Sequence, residues 1–232
     1  MANLFAIIGV TVVVLVLIVA VLLWLIYMYN PVLVNGLVNA RYPLDIKSDN
    51  LSSTLNEFTV SFWYYVEGWN YKYNEQKTLL NWDNGKLKVT FDTKKNNMAV
   101  SMKDLNGESH VCKVVDLKLQ KWNFVSITLW NRSLDIMLDD EYSHSCAQDN
   151  TPSYVNSDSL NLFGNDGFNG KLSNLYFYNY ARTHSDSLSL YYKGPDYKNW
   201  LYALSAKLQG SVKISMDVNV DVNFSGDVSV DE

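Results

Sequence analysis

Between Phe58 and Val66 the side chains change character at every residue. Phe58, Val60, Phe62, Tyr64 and Val66 alternate with Thr59, Ser61, Trp63 and Tyr65. A period of two places the two sets on opposite faces of a β-strand. The same period returns at Leu87, Val89 and Phe91, at Met98, Val100 and Met102, at Val125, Ile127 and Leu129, and at Leu134, Ile136 and Leu138. Leu160 with Leu162 and Leu175 with Phe177 continue the series. The breaks between these runs are turn chemistry: Asp83-Asn84-Gly85, Lys95-Asn96-Asn97, Asn106-Gly107, Asn131-Arg132-Ser133 and Asn165-Asp166-Gly167. Asn, Asp and Gly tolerate the left-handed backbone that tight turns need. No helical periodicity intervenes from 50 to 195. That segment is therefore predicted to be all-β, two antiparallel sheets packed as a sandwich.

The charge distribution separates a second part from this one. None of the 19 Lys and Arg or 24 Asp and Glu lies before Arg41. Leu4 to Met28 is a run of about 25 mostly apolar residues, and a helix of that length reaches roughly 37 Å, enough to cross a hydrocarbon core of about 30 Å. Trp24, Tyr27 and Tyr29 close it, where amphipathic rings favour the headgroup zone. Residues 1–30 are read as a retained transmembrane anchor in contact with a lipid bilayer. A cleaved leader would carry a basic flank, a shorter apolar run and a small-residue cleavage site. Residues 31–49 are read as a linker. Arg41 and Lys47 follow the anchor and no cation precedes it, so the positive-inside rule turns the large domain toward the cytoplasm. Three glycosylation sequons, at Asn50, Asn131 and Asn223, point the other way. A chain this rich in Asn and Ser produces such matches by chance.

Four segments of the sandwich have a family look. Phe58-Thr59-Val60-Ser61-Phe62-Trp63 resembles the opening strand of the laminin-G-like, concanavalin A-like jelly rolls. Trp122-Asn123-Phe124-Val125-Ser126-Ile127 resembles that family's central "W-x-x-V-x-I" strand. Leu134 to Asp140 is similar to its "L-x-I-Y-x-D-G" hairpin, with Met137 and Asp140 departing from the pattern. Phe168 to Leu175, followed by Tyr178-Asn179-Tyr180-Ala181-Arg182, resembles the closing strand. The resemblance implies a jelly roll over 50–195. Phe62, Trp122 and Phe177 are expected in its inter-sheet core, since buried aromatics dominate such cores. Gly170 stands where a strand follows a loop and permits close backbone approach.

The chemistry looked for is mostly missing. Glucanase relatives in this superfamily carry paired acids written E-x-D-x-x-E, and the chain has no such run. Asp135 and Asp139 share a strand face, but hydrolysis needs two carboxylates in distinct environments. A nucleophile elbow, a P-loop, a dinucleotide fingerprint and paired metal-binding histidines are absent from the sequence. The chain is expected not to be an enzyme. With 24 acids against 19 cations it has no footprint for nucleic acid. The resemblance extends to calcium-binding relatives, so Asp83, Asp139, Asp140 and Asp166 are candidate calcium ligands if they converge; otherwise they are turn residues and there is no cofactor. Cys112 and Cys146 lie in predicted strands, and a disulfide and two buried thiols are both open. Trp69, Tyr71 and Tyr73 follow the first strand in a loop, where aromatic faces beside amides suit either a glycan or a protein partner.

Residues 196–210 are read as a short helix, with Asp196 as its N-cap and Gly210 beyond its end. An alternating strand then covers 211–232. Val212, Ile214, Met216, Val218, Val220, Val222 and Phe224 line one face, and polar residues line the other. With one Lys and five acids, this segment holds four of the five net negative charges. An isolated strand of that length leaves its backbone unpaired, so it is expected to pair within an assembly. The whole reads as a membrane-anchored structural protein that contacts other structural proteins or further copies of itself. Laminin-G-like domains of large DNA viruses suggest a minor capsid or virion-membrane component linking membrane to shell. The alternative is a membrane-anchored lectin-like module.

Overall fold

The computed structural model describes residues 2–28, 31–47, 51, 57–153, 157 and 159–199, and gives no side-chain surroundings for residues 2–7, 23–28 and 143. Helix α1 spans Ala2–Met28. The strands that follow are β1 (Val32–Asn39), β2 (Leu44–Lys47), β3 (Phe58–Val66), β4 (Lys77–Trp82), β5 (Leu87–Phe91) and β6 (Met98–Lys103). After them come β7 (Ser109–Val114), β8 (Trp122–Trp130), β9 (Ser133–Leu138), β10 (Glu141–Ala147), β11 (Ser159–Leu162) and β12 (Gly170–Tyr178). Helix α2 (His184–Tyr191) ends the described elements. The strands make two six-stranded sheets, β1-β12-β3-β8-β9-β10 and β2-β11-β4-β5-β6-β7. The pairings within them are antiparallel.

Alternation builds the inter-sheet core. Phe58, Val60, Phe62 and Tyr64 of β3 and Val125, Ile127 and Leu129 of β8 meet Leu80, Trp82, Val89 and Phe91 of the other sheet. Trp82 sits edge-on to both Phe58 and Phe177, with ring centroids 5.4 and 5.0 Å apart. The other set of residues on β3 is buried too. Trp63 packs with Phe124, Met137, Tyr176 and Leu190 in a second cluster on the outer face of the first sheet, where α2 covers it. Trp63 stacks on Tyr191 at 5.5 Å. Ser126 joins Ser61 on one side and Ser187 of α2 on the other, at 2.8 and 3.2 Å.

Two expectations are corrected. Residues 31–49 are not a linker: β1 pairs with β12 and β2 pairs with β11, so the sandwich starts at Val32. Trp122 lies at the margin of the outer cluster beside Tyr65, not between the sheets, because it shares a strand face with Phe124 rather than with Val125. A short C-terminal helix not read from the sequence lies at 184–191, ahead of the segment 196–210. Thr183 caps it, accepting from the Asp186 backbone while the Asp186 carboxylate accepts from the Thr183 N–H. Asp196 stands in a turn, and residues 200–232, with the rest of the predicted helix and the whole alternating strand, lie outside the described residues.

The side chains described on α1, residues 8–22, are almost all apolar and exposed. By themselves they fall short of the about 20 residues a spanning helix needs. Among the described residues no helix is long and apolar enough to cross a membrane. The side chains of Trp24, Tyr27 and Tyr29 lie outside the description.

Packing under α2 has a consequence for alkaline stability. Burial pushes the Tyr178 phenol up from 10.0 to about 12, against the pull of the Arg182 charge. Burial raises Tyr64 and Tyr176 as well. A phenol whose folded pKa is raised contributes stability that is whole below pH 10 and lost as pH climbs through the folded value. Absorbance at 295 nm should therefore show a late phase, from Tyr64, Tyr176 and Tyr178, that appears only as the domain unfolds. Full ionisation near pH 10 with the fold intact would refute this.

Candidate functional site

The loop aromatics do not form an open platform. Trp69 packs on Phe91 at 5.6 Å as a partly buried lid on the core, with the Lys77 ammonium 5.1 Å from its ring. Tyr71 lies under the Arg41 guanidinium at 5.1 Å. Of the three, Tyr73 alone is exposed. The end of the sandwich needed closing over Phe91, and the nearest large ring closes it.

Three of the four candidate calcium ligands are held by cations and backbone. Asp83 pairs with Lys86 at 2.9 Å and Asp166 with Lys72 at 3.1 Å. Asp139 accepts from the Phe124 N–H at 2.9 Å, and its other oxygen faces Lys118 and Lys121, each at 3.9 Å. A carboxylate already facing two ammonium groups is a poor ligand for a hard cation. Among the described residues no three His, Cys, Asp or Glu side chains are grouped as a metal site. Asp83, Asp139 and Asp166, so engaged, do not fit calcium.

Two of them do reach a common feature. The turn from β9 to β10 puts Asp139 in the left-handed region at φ 56°, a conformation Asp tolerates. It borders a shallow cleft of about 210 Å³ lined by Lys118, Leu138, Asp139, Asp140, Glu141 and Tyr142. Tyr142 is 56% exposed, and its ring stacks on His184 at 4.5 Å and 26°. The cleft is smaller than the roughly 300–1,000 Å³ pockets that enclose drug-sized ligands. Its furniture is one immobilised aromatic face, carboxylate acceptors and an ammonium donor. Tyr142 and Lys118 were not identified from sequence, because two separate segments line the cleft and a third supplies the His184 that backs Tyr142.

The two cysteines form a disulfide. Cys112 is on β7, the edge of one sheet, and Cys146 on β10, the edge of the other, with Cα atoms 6.0 Å apart.

Residues 43–186 match the family model described as the concanavalin A-like lectin/glucanases superfamily, laminin-G type. None of the curated protein sequences matches the chain. Solved structures share the fold. The ligand-binding domain of botulinum neurotoxin serotype D in complex with N-acetylneuraminic acid aligns with TM-score 0.58 and 14% identity, over 71% of this chain and 44% of that one. The serotype G binding domain aligns at 0.54 and 15%, over 64% and 39%. The receptor-binding domain of the mosaic serotype C/D toxin aligns at 0.56 and 14%, over 67% and 41%. The chain thus spans about two-fifths of the length of these domains.

Proposed function

The chain belongs to the concanavalin A-like lectin/glucanases superfamily, and from that premise we propose that it is a non-enzymatic, lectin-like binding module held at a membrane by its N-terminal apolar segment. The observation that carries this reading is the β9–β10 cleft. A flat aromatic face beside fixed hydrogen-bonding groups suits a sugar ring, which has an apolar face and a polar rim. The acids there serve recognition rather than hydrolysis: Asp139 is engaged by Lys118, Lys121 and the Phe124 N–H. The serotype D domain with its bound N-acetylneuraminic acid supports the class of ligand, on a shared fold.

A glycan array probed with the full chain in mild detergent tests it. Binding to a restricted set of glycans is expected. Y142A should weaken that binding by about tenfold or more, since lost ring contacts cost on the order of 1 kcal/mol or more. D140N should weaken it less. An array blank at high protein concentration, or binding untouched by Y142A, would sink the proposal.

One observation favours a second reading, a structural component such as a minor capsid or virion-membrane protein. Asn199 donates its N–H to Asn35 Oδ1 at 3.0 Å, and Asn35 Nδ2 donates back to the Asn199 carbonyl at 3.3 Å. The chain therefore leaves toward 211–232 beside β1, an edge strand with one strand partner among the described residues. An alternating segment of this kind suits pairing with another protein. Deleting residues 211–232 separates the readings: glycan binding persists under the first, and assembly is lost under the second.

A further inference from the structure

Asn131 and Arg132 form the exposed two-residue turn between β8 and β9, closed by the Trp130–Ser133 pair. Asn131 lies in the left-handed region at φ 53°, which by itself accounts for an Asn there. The same residues spell the acceptor triplet Asn131-Arg132-Ser133. Two further observations give the triplet meaning. The Cys112–Cys146 disulfide belongs to an oxidising compartment, and N-linked transfer takes place in such a compartment. Trp130, immediately before the acceptor, is 57% exposed, an indole face that a linked sugar would cover.

We infer that Asn131 carries an N-linked glycan, and that the jelly roll lies on the lumenal or extracellular side of its membrane. This reverses the orientation suggested by Arg41 and Lys47, a bias of only two cations. The donor is a lipid-diphosphate-linked oligosaccharide. The Asn131 amide nitrogen attacks the sugar C1, a C–N bond forms, the C1–O bond to phosphate breaks, the lipid diphosphate leaves with the electron pair, and the amide gives up one proton. A glycan at this site leaves the cleft open. The two lie at opposite ends of β9, whose six residues span roughly 17–20 Å.

The full chain, expressed in eukaryotic cells, is digested with peptide N-glycosidase in heavy-oxygen water and mapped by mass spectrometry. Heavy oxygen is expected at position 131. S133A should abolish it and S133T should restore it, although both disturb the Ser133 contacts with Asp135 and Ser145. Transfer precedes folding, so a variant that folds poorly still reports occupancy. The triplets at Asn50 and Asn223 are resolved as separate peptides. Recovery of unmodified Asn131 from the wild-type chain overturns the inference, whatever the state of the cysteines.

Discussion

Replacing Cys112 and Cys146 together by alanine should lower stability by about 4 kcal/mol. In the chain-entropy account a cross-link stabilises by restricting the unfolded chain, and the 34-residue separation here corresponds to roughly that figure at 25 °C. The bond has an additional task in the native state. It joins β7 and β10, which belong to different sheets and share no ladder. Without it, that side of the sandwich is closed by packing alone, with two edge strands free to splay and pair elsewhere. For a domain of this size each kcal/mol shifts the melting midpoint by about 2–4 °C, so a fall of roughly 8–15 °C is expected. Differential scanning calorimetry of the wild type, the double variant and the wild type under reductant checks it. The last two should coincide. A midpoint unchanged within two or three degrees, on the order of a single kcal/mol, would mean that the apolar core holds both edges unaided.

That bond shows where sequence reasoning stops. The strands with clean alternation, β3, β5, β6, β8 and β9, were legible because both faces obey one rule. The strands missed break it. β4 carries a bulge between Thr78 and Leu80 and opens with buried Lys77, whose ammonium donates to the Lys72 carbonyl at 3.1 Å. β10, read as a strand only around Cys146, carries a bulge between Tyr142 and His144. A bulge shifts the face of every later residue, so the pattern reads as loop. Helix α2 is only eight residues long, and its signal was the Thr183 and Asp186 capping pair rather than periodicity. Missing α2 also hid why Trp63 is buried. The cleft was half legible. Asp139 and Asp140 announce a turn, but nothing local to them indicates that Tyr142 will be pinned by His184 or that Lys118 will approach.

Gly170→Ala should be among the most damaging single substitutions in the sandwich, and the reason is steric rather than conformational. A Cβ at Gly170 would stand 2.0 Å from the Tyr65 carbonyl oxygen and 2.6 Å from Phe168 Cε2. Neither neighbour can withdraw cheaply. Tyr65 is paired on both sides, with Lys171 of β12 and Trp122 of β8. Phe168 is fully buried against Phe91 and Phe163. Relief requires separating β12 from β3 at the middle of the first sheet, and a loss of about 3–5 kcal/mol is expected, at the upper end for overpacking. Gly36→Ala isolates the other effect. Gly36 has φ +100° with nothing within 4 Å of a built Cβ, so its cost is backbone strain alone, about 1–2 kcal/mol. Urea unfolding of both variants orders them. If Gly36→Ala proves the more costly, backbone conformation rather than the contact with β3 governs glycine placement in this sheet. If Gly170→Ala loses less than about 1 kcal/mol, the close approach of the two strands is not a constraint on the fold.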